Sequence, residues 1–160
     1  YEDAYLLFSV PEFSRSLSDN SRSSSKVYSV DPGLFTAFAP ASTIDLGQRL
    51  ETAVFDALRR TVCSVRNGSV SRLLVSEGSR SHEVDFVVGD ALLLEPAYLV
   101  QVSVGLENAK TRKREIEALE IAMKRFGLEE SFIVTMDEED EFRSSAGVVH
   151  IIPAWKYLLA

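Results

Sequence analysis

The chain has 160 residues, of which 46% are hydrophobic and 9% aromatic, so it is long and apolar enough to form one domain with a buried core. One cysteine and two histidines exclude an internal disulfide and a cysteine-rich zinc site, and no apolar run approaches the roughly 20 residues that cross a bilayer. The net charge of −7 excludes a protein that coats nucleic acid, so any contact with DNA has to come from a local basic patch.

The cysteine content and the N-terminus indicate where the protein resides. A single cysteine favours a reduced, cytoplasmic setting, and the first residues lack the basic and apolar regions of a secretion signal. We therefore expect no membrane partner. The sequence begins with Tyr1 rather than Met, and we expect it to be part of a longer protein.

Short elements separated by turns are predicted for the first 40 residues. Residues 1–10 predict a helix end or the start of a strand. The serine-rich stretch 11–25 predicts a mobile hairpin tip, with a phosphate-contacting loop as the alternative. Residues 26–30 alternate as a strand that ends at the turn signal Asp31-Pro32-Gly33, and 34–38 predict a short apolar turn or helix.

A helix of about 15 residues is predicted next, with Ser42, Thr43 and Asp45 as candidate N-caps. Its apolar stripe recurs at four-residue steps and consists of Leu50, Val54 and Leu58. Glu51 lies beside that stripe. A glutamate at a solvated edge and a glutamate that faces a metal site are the two interpretations of this position.

Four strands are predicted before the next helix, over 62–65, 71–75, 82–88 and 98–104. In the third strand, strict alternation places Val84, Phe86 and Val88 on one face. Glu83, Asp85 and Val87 lie on the other face. In the fourth, Gln101 and Ser103 share a face with Leu99. An acid, an amide and a hydroxyl on neighbouring strands therefore approach one another, and such hard oxygen ligands indicate a magnesium site.

A long helix is predicted over 111–126, with Gly127 as its C-cap. Its apolar stripe is Ile116, Leu119, Met123 and Phe126. The residues around its start are basic: Lys110, Arg112, Lys113 and Arg114. Cations at a helix start oppose the local dipole, so either they lie in solvent or they bind phosphate or an acidic side chain. The second interpretation makes these four residues candidates for DNA binding.

The last part of the chain predicts two more strands and a terminal helix. Residues 131–136 form a buried-type strand after a helix, which favours a parallel crossover in the same sheet. Residues 137–141 predict a solvated acidic loop, and 148–152 a final strand. Pro153 then begins a helix, and the side chains of Trp155 and Leu158 in this helix are expected to pack on the core.

The order α-β-β-β-α-β, with acids on the first helix and the central strands, resembles the restriction-endonuclease-like (PD-(D/E)xK) nuclease fold. The strings KVYSVDPGL, GQRLETAVFDALRR, HEVDFVV, YLVQVS, TRKREIEAL and IIPAWKYLL resemble more closely the C-terminal domain of bacterial and archaeal AAA-type ATPases. The resemblance covers residues 1–159 and implies an α/β fold with a mixed central sheet flanked by helices.

The same resemblance implies how the chain is divided. Residues 41–160 would form the nuclease-like domain, and residues 1–40 the tail of a winged-helix segment, a serine-rich loop and a connecting strand. The ATPase domain of the same full-length protein would be the partner. It lies outside this sequence, because no GxxxxGK[ST] motif occurs here.

By position, Glu51 resembles the helix glutamate of the nuclease family, Asp85 its metal-binding aspartate and Gln101 its (E/Q) position. Ser103 falls where the family has a lysine, and a hydroxyl supplies no fixed positive charge to activate water. Because Gln101 is neutral, we expect the ligand set Glu51, Asp85 and Gln101 to bind Mg²⁺ weakly or not at all. A cation from the next helix, Lys110, Arg112 or Arg114, is a possible replacement.

Three functions remain open from the sequence. The first is a catalytically degenerate domain that binds DNA or regulates the ATPase. The second is an active Mg²⁺-dependent DNA endonuclease with a relocated basic residue. The third is a protein-interaction module without nucleic-acid contact, which the net charge and the acidic stretch favour.

Overall fold

The computed structural model describes residues 5–15, 25–38, 45–65, 67–78 and 80–159. Its elements are β1 (Leu7–Val10), β2 (Lys26–Ser29), α1 (Gly33–Phe38), α2 (Leu46–Thr61), a 3₁₀ turn (Val62–Ser64), β3 (Ser69–Glu77), β4 (Arg80–Asp90), β5 (Glu95–Val102), α3 (Ala109–Phe126), β6 (Glu130–Thr135), β7 (Asp140–Ser144), β8 (Gly147–Pro153) and α4 (Ala154–Leu159).

The described strands form a mixed six-stranded sheet and a separate two-stranded ribbon. The sheet has the order β3-β4-β5-β6-β8-β7, and the ribbon pairs β1 with β2. β3, β4 and β5 are antiparallel neighbours, whereas β6 runs parallel to β5 and to β8. α3 makes the crossover from β5 to β6, as the sequence predicts. The chain is therefore a mixed α/β fold.

The two long helices cover opposite faces of the sheet. Leu119 and Met123 of α3 pack with Leu99 and Ile133. Buried residues of α2 pack instead with Val100 and Val134, which directly follow Leu99 and Ile133 in their strands. Successive side chains of a strand point to opposite faces, so α2 and α3 lie on different sides.

Both helices begin and end much as predicted. Asp45 caps α2 by accepting hydrogen bonds from the amides of Gly47 and Gln48, and the predicted stripe of Leu50, Val54 and Leu58 is buried. In α3, Gly127 adopts the left-handed conformation at the C-cap, with φ 71°. The other candidate caps, Ser42 and Thr43, lie outside the described residues, as do residues 16–24 of the hairpin tip predicted over 11–25. Of the described residues of that stretch, Phe13 is buried.

The ribbon packs on the α2 side of the sheet. Val10 of β1 and Tyr28 of β2 belong to the same buried cluster as Phe55 and Phe86. Phe13, just after β1, joins the cluster on the α3 side. The division of the chain at residue 40 stays a prediction, but described residues on both sides of it share one core.

A β-bulge changes the predicted alternation in β4. Ser71 pairs with Val87 and Leu73 pairs with Val84, so two residues of β4, Asp85 and Phe86, lie opposite one residue of β3. Val84 therefore packs with Val87 on the α3 side, while Phe86 and Val88 face α2. The prediction that Val84 shares a face with Phe86 is wrong, because the extra residue shifts the alternation.

Two predictions of secondary structure are also wrong. Residues 62–64 continue α2 as a 3₁₀ turn instead of forming a strand, because the amide of Val65 bonds to the carbonyl of Val62. The acidic stretch 137–141 is not entirely loop, because Asp140 begins β7, which pairs with β8.

The terminal helix also differs from its prediction. Trp155 is 62% exposed and Leu158 39%, whereas Ala154 and Tyr157 face the core. Ala154 and Tyr157 are three residues apart, so they lie on one side of the six-residue helix, and Trp155 lies off that side.

Candidate functional site

A polar cleft of about 400 Å³ opens at the point where β2, α2, β4, β5 and α3 meet. Its lining is formed by Lys26, Glu51, Ser81, His82, Glu83, Asp85, Gln101, Val102, Arg114, Glu115 and Ala118. Four of these residues are acids, and they come from α2, β4 and α3. The cleft therefore gathers negative charge from three elements.

The ammonium group of Lys26 binds three carboxylates in this cleft. Its Nζ lies 2.8 Å from Glu51 Oε1, 2.9 Å from Glu83 Oε1 and 3.0 Å from Asp85 Oδ1. The Lys26 side chain is 31% exposed, so the ion pairs are only partly shielded from water. We call Lys26, Glu51, Glu83 and Asp85 the lysine cluster.

Titration of the cluster follows from its charges. Burial opposes the charged form of Lys26, but Asp85, Glu51 and Glu83 outweigh burial, and the pKa of Lys26 is raised. Lys26 therefore remains a cation at every physiological pH. Tyr28, on the same side of β2, donates a hydrogen bond of 2.5 Å to Glu51 Oε1. Burial and the charge of Glu51 raise the pKa of Tyr28, so its hydroxyl keeps its proton.

Asp85 lies in the bulge of β4 and is held by two neighbours. Its Oδ1 faces Lys26, and its Oδ2 accepts a hydrogen bond of 3.0 Å from the amide of Val102 on β5. Burial, followed by the charge of Glu51, raises the pKa of Asp85 from 3.8 to about 6, although Lys26 and the Val102 amide oppose the rise. The bulge thus places an acid of unusually high pKa beside a permanent cation.

Gln101 links Asp85 to a buried glutamate of α3. Its Oε1 accepts from the backbone amide of Asp85 at 3.1 Å, and its Nε2 donates to Glu115 Oε2 at 2.7 Å. Glu115 is only 4% exposed and also accepts a hydrogen bond of 3.0 Å from Arg114 Nε. Both polar atoms of Gln101 are therefore engaged within the protein.

Ser103 lies outside the cleft. Its hydroxyl donates to the carbonyl of Gly105 at 2.9 Å, and its amide bonds to the carbonyl of Val134. The side chain thus shapes the loop after β5. The cation nearest to Asp85 comes instead from Lys26, on the strand that the sequence analysis had assigned to a connecting segment.

Among the four candidate DNA-binding residues, Arg114 lines the cleft. Arg112 binds Asp140 at 2.5 Å, and Lys113 lies 3.5 Å from Glu117, one helical turn away. Lys110 is exposed near the start of α3. The carboxylate that binds Arg114 is Glu115, whereas the cation bound to Asp85 is Lys26. A replacement for the missing lysine from Lys110, Arg112 or Arg114 stays a prediction.

The residues of the cleft do not fit a magnesium ion as they are arranged. Mg²⁺ needs oxygens at about 2.0–2.1 Å, whereas three carboxylates of the cleft bind an ammonium group at 2.8–3.0 Å. Gln101 Oε1 faces a backbone amide. Across the described ranges, no set of three or more histidine, cysteine, aspartate or glutamate side chains is spaced to hold a metal ion. The predicted Mg²⁺ ligand set stays a prediction.

Four residues of the site were not predicted from the sequence: Lys26, Glu83 and Glu115, which line the cleft, and Tyr28, which bonds to Glu51. A weak signal existed for the first two, because Lys26 and Tyr28 alternate around Val27 and therefore share one side of the strand. Nothing in the sequence indicated that this side faces Glu51. Glu115 ends the run TRKRE, in which three residues are basic, so the sequence predicts a solvent-exposed charge at this position.

Comparisons with protein-family models, curated proteins and solved structures found no match. Within the part of the chain that the structure describes, no helix has both the length and the apolar character needed to span a bilayer.

Proposed function

We propose that this chain is a restriction-endonuclease-like domain without nuclease catalysis, which acts as a DNA-binding or regulatory module of an AAA-type ATPase. One observation carries the proposal: the ammonium group of Lys26 binds Glu51, Glu83 and Asp85 where the resemblance would place a metal ion. An ammonium group cannot coordinate phosphate oxygen and water as a metal does. The cleft then has the acids of a nuclease without its catalytic cation.

The order of elements supports the same proposal. α2, β3, β4, β5, α3 and β6 follow one another as α-β-β-β-α-β, with three antiparallel strands and a parallel fourth. Glu51 on α2 and Asp85 on β4 bind the same nitrogen, which is consistent with an acidic site shared by the helix and the second strand.

The start of α3 is the surface that we propose for DNA. Lys113 and Arg114 are 70% and 68% exposed, and Arg114 lies at the cleft. Exposed cations contribute to phosphate binding through counterion release, so the affinity for DNA should fall steeply with salt. Arg112 contributes less in this proposal, because Asp140 already neutralises it.

The proposal predicts DNA retention without cleavage. Plasmid and branched DNA are incubated with the 160-residue chain and Mg²⁺ or Mn²⁺, and nicking and retention are measured in the same samples at low and high salt. We expect no nicking and salt-sensitive retention. Reversing both charges in a Lys113→Glu/Arg114→Glu variant should weaken retention by about tenfold or more.

A matched control exists on the same helix. Lys124 and Arg125 are also exposed and lie 11 residues further along α3, about 16 Å at a rise of 1.5 Å per residue. A Lys124→Glu/Arg125→Glu variant makes the same change of net charge and should retain DNA nearly as well as the wild type. Equal losses in both variants, or no retention by the wild type, would contradict the DNA module and favour a protein-interaction domain.

A second candidate is an active Mg²⁺-dependent endonuclease. It is favoured by the 3.0 Å contact between Lys26 Nζ and Asp85 Oδ1, because Lys26 then supplies the cation that Ser103 lacks. Under this alternative, the wild-type chain nicks DNA, and Lys26→Met and Asp85→Asn each abolish nicking. Nicking that both substitutions remove would replace the first proposal by the second.

A further inference from the structure

A second cavity, of about 350 Å³, lies on the α2 side of the sheet. None of the described residues that line it also lines the cleft. Its volume is at the lower end of the range of small-ligand pockets, about 300–1,000 Å³, so it can take one compact chemical group. The lining comes from four elements and consists of Ala57, Leu58 and Thr61 of α2, Tyr98 of β5, Phe132 of β6 and Tyr157 of α4.

Three of these residues are aromatic and form walls of the cavity. The rings of Tyr98 and Phe132 are nearly perpendicular, with an interplanar angle of 86° and centroids 6.4 Å apart. Tyr157 adds a third ring from the short helix α4, and all three side chains are partly exposed. The face of an aromatic ring carries partial negative charge, so several rings around one space attract a cation.

The walls of the cavity are neutral. None of the described lining residues has a charged side chain. Burial, followed by Tyr98, raises the pKa of Tyr157, so its hydroxyl keeps its proton. The hydroxyl of Thr61 donates to the carbonyl of Leu58 at 3.1 Å. A cation with N–H groups would lose hydrogen bonds to water here, and that loss is costly.

A carboxylate lies close to the aromatic walls on β6. Glu130 precedes Phe132 by two residues, so the two side chains lie on the same face of the sheet. Glu130 is 67% exposed, and its Oε1 lies 3.9 Å from Nε2 of His150, whose ring stacks on Phe132. The charge of Glu130 therefore adds attraction for a cation at these rings.

Basic residues beside the lining positions face acids. The ammonium group of Lys156, next to Tyr157, binds Glu139. Arg59 and Arg60 of α2 act on the carboxylate of Asp56. The positive charges nearest in sequence to the lining are thus partly neutralised.

We infer that this cavity binds the trimethylammonium group of a small organic cation such as choline. A quaternary ammonium group has no N–H donor to satisfy and is attracted to the faces of aromatic rings, so it suits neutral aromatic walls beside a carboxylate. The inference goes beyond the proposed function and is independent of it, because the start of α3 lies on the other side of the sheet.

The test follows the N-methyl signal of choline by proton NMR as the 160-residue chain is added. Bound methyl groups should shift upfield, because ring currents act above an aromatic face. The control ligand is the neutral isostere of choline in which carbon replaces nitrogen. It has the same shape without the charge and should bind at least about tenfold more weakly. This comparison uses the wild type and does not depend on the folding of a variant.

Two substitutions, each with a matched control, test the residues. Tyr157→Leu removes one wall and should weaken choline binding by about fivefold or more. Trp155→Leu changes a 62% exposed aromatic residue of the same helix and should leave binding unchanged. Glu130→Gln should weaken binding by about two- to threefold. Glu129→Gln, at the exposed position before it, should have a smaller effect.

Vesicles of phosphatidylcholine distinguish a free ligand from a lipid head group. Binding of choline without sedimentation on vesicles assigns the group to a soluble molecule, and sedimentation that choline inhibits assigns it to a lipid. The inference is overturned if the neutral isostere binds as tightly as choline or if Tyr157→Leu and Trp155→Leu bind choline equally. Absence of binding to both vesicles and about 10 mM choline also overturns it.

Discussion

At the scale of single residues, Lys26 decides the chemistry of the cleft. Its contacts with Glu51, Glu83 and Asp85 offset the cost of bringing three acids together. A partly buried ion pair adds little net stability when it forms, but removal of one partner leaves uncompensated charges, and that removal is costly. Lys26 is therefore more informative as a site of substitution than the exposed lysines.

The first prediction concerns the stability of the lysine cluster. Lys26→Met should lower the free energy of unfolding by about 1–3 kcal/mol, which is below the range for a fully buried pair because Lys26 is partly exposed. Urea unfolding at neutral pH measures the change. Lys156, which pairs with Glu139 at an exposed position, is the control, and Lys156→Met should change stability by less than about 0.5 kcal/mol. Equal losses of unfolding free energy in Lys26→Met and Lys156→Met would show that the lysine cluster contributes no more than an exposed ion pair.

The second prediction follows from the raised pKa of Asp85. An acid with a higher pKa in the folded than in the unfolded state binds its proton more tightly when folded. Its contribution to stability is present below about pH 4 and is lost as the pH rises through about 6. Between pH 4.5 and 7, the wild type should therefore lose more unfolding free energy than Asp85→Asn, by about 2 kcal/mol.

The control for this pH effect is Asp140, an exposed acid whose pKa is lowered by its hydrogen bond to Arg112. Its contribution has the opposite sign, because it is lost as the pH falls. Asp140→Asn should therefore keep the loss of unfolding free energy between pH 4.5 and 7 that depends on Asp85. Wild type and Asp85→Asn with the same pH dependence would contradict the raised pKa of Asp85.

At the scale of elements, β4 positions the cleft through two irregularities. The bulge at Asp85 and Phe86 turns the carboxylate towards Lys26, and the pairing of β4 with β5 shifts again between Val88 and Gly89. Gly89 permits this second shift, because a Cβ at this position would lie 2.4 Å from the carbonyl oxygen of Glu95. The strand is therefore shaped by backbone contacts as well as by its apolar side chains.

The third prediction tests that role of Gly89. Gly89→Ala should lower the free energy of unfolding by about 2–3 kcal/mol or more, because the nearest atoms belong to the backbone of β5 and cannot rotate away. Gly78→Ala is the control. Gly78 has φ 60° but no atom within 4 Å of the added Cβ, so its cost should be limited to about 1 kcal/mol of backbone strain. A smaller effect at Gly89 than at Gly78 would contradict the close approach of β5.

At the scale of the whole molecule, the β1–β2 ribbon belongs to the same packed unit as the sheet. Val10 and Tyr28 lie in the cluster with Phe55 and Phe86, and the rings of Tyr28 and Phe55 stack with centroids 4.7 Å apart. The ribbon also carries Lys26. The described residues before position 40 thus supply both apolar core and the cation that binds Glu51, Glu83 and Asp85.

The fourth prediction follows from this packing. A fragment of residues 41–160, the domain implied by the family resemblance, lacks Val10, Phe13, Lys26 and Tyr28. It should lose cooperative unfolding or expose apolar surface that binds a hydrophobic dye, because burying each large side chain contributes about 1.5–3 kcal/mol. The 160-residue chain is the reference in both measurements. A fragment that unfolds as cooperatively as the 160-residue chain, and at the same urea concentration, would show that the ribbon is dispensable.

The sequence by itself determined the elements whose signals are local. The stripe of Leu50, Val54 and Leu58, the cap at Asp45 and the C-cap at Gly127 each depend on neighbours within a few residues, and the structure confirms all three. The buried strand after α3 and its parallel pairing with β5 were also readable, because a crossover helix between apolar strands leaves few alternatives.

Only the tertiary structure decided the contents of the cleft. Lys26 lies 25 residues from Glu51 and 59 from Asp85 in the chain, and their meeting depends on how the ribbon packs against α2 and β4. The bulge in β4 likewise depends on pairing with β3, so strict alternation misplaced Val84. Local patterns report which face of an element is apolar, whereas long-range packing decides which polar side chains share a site, and here it brought a lysine to the acids.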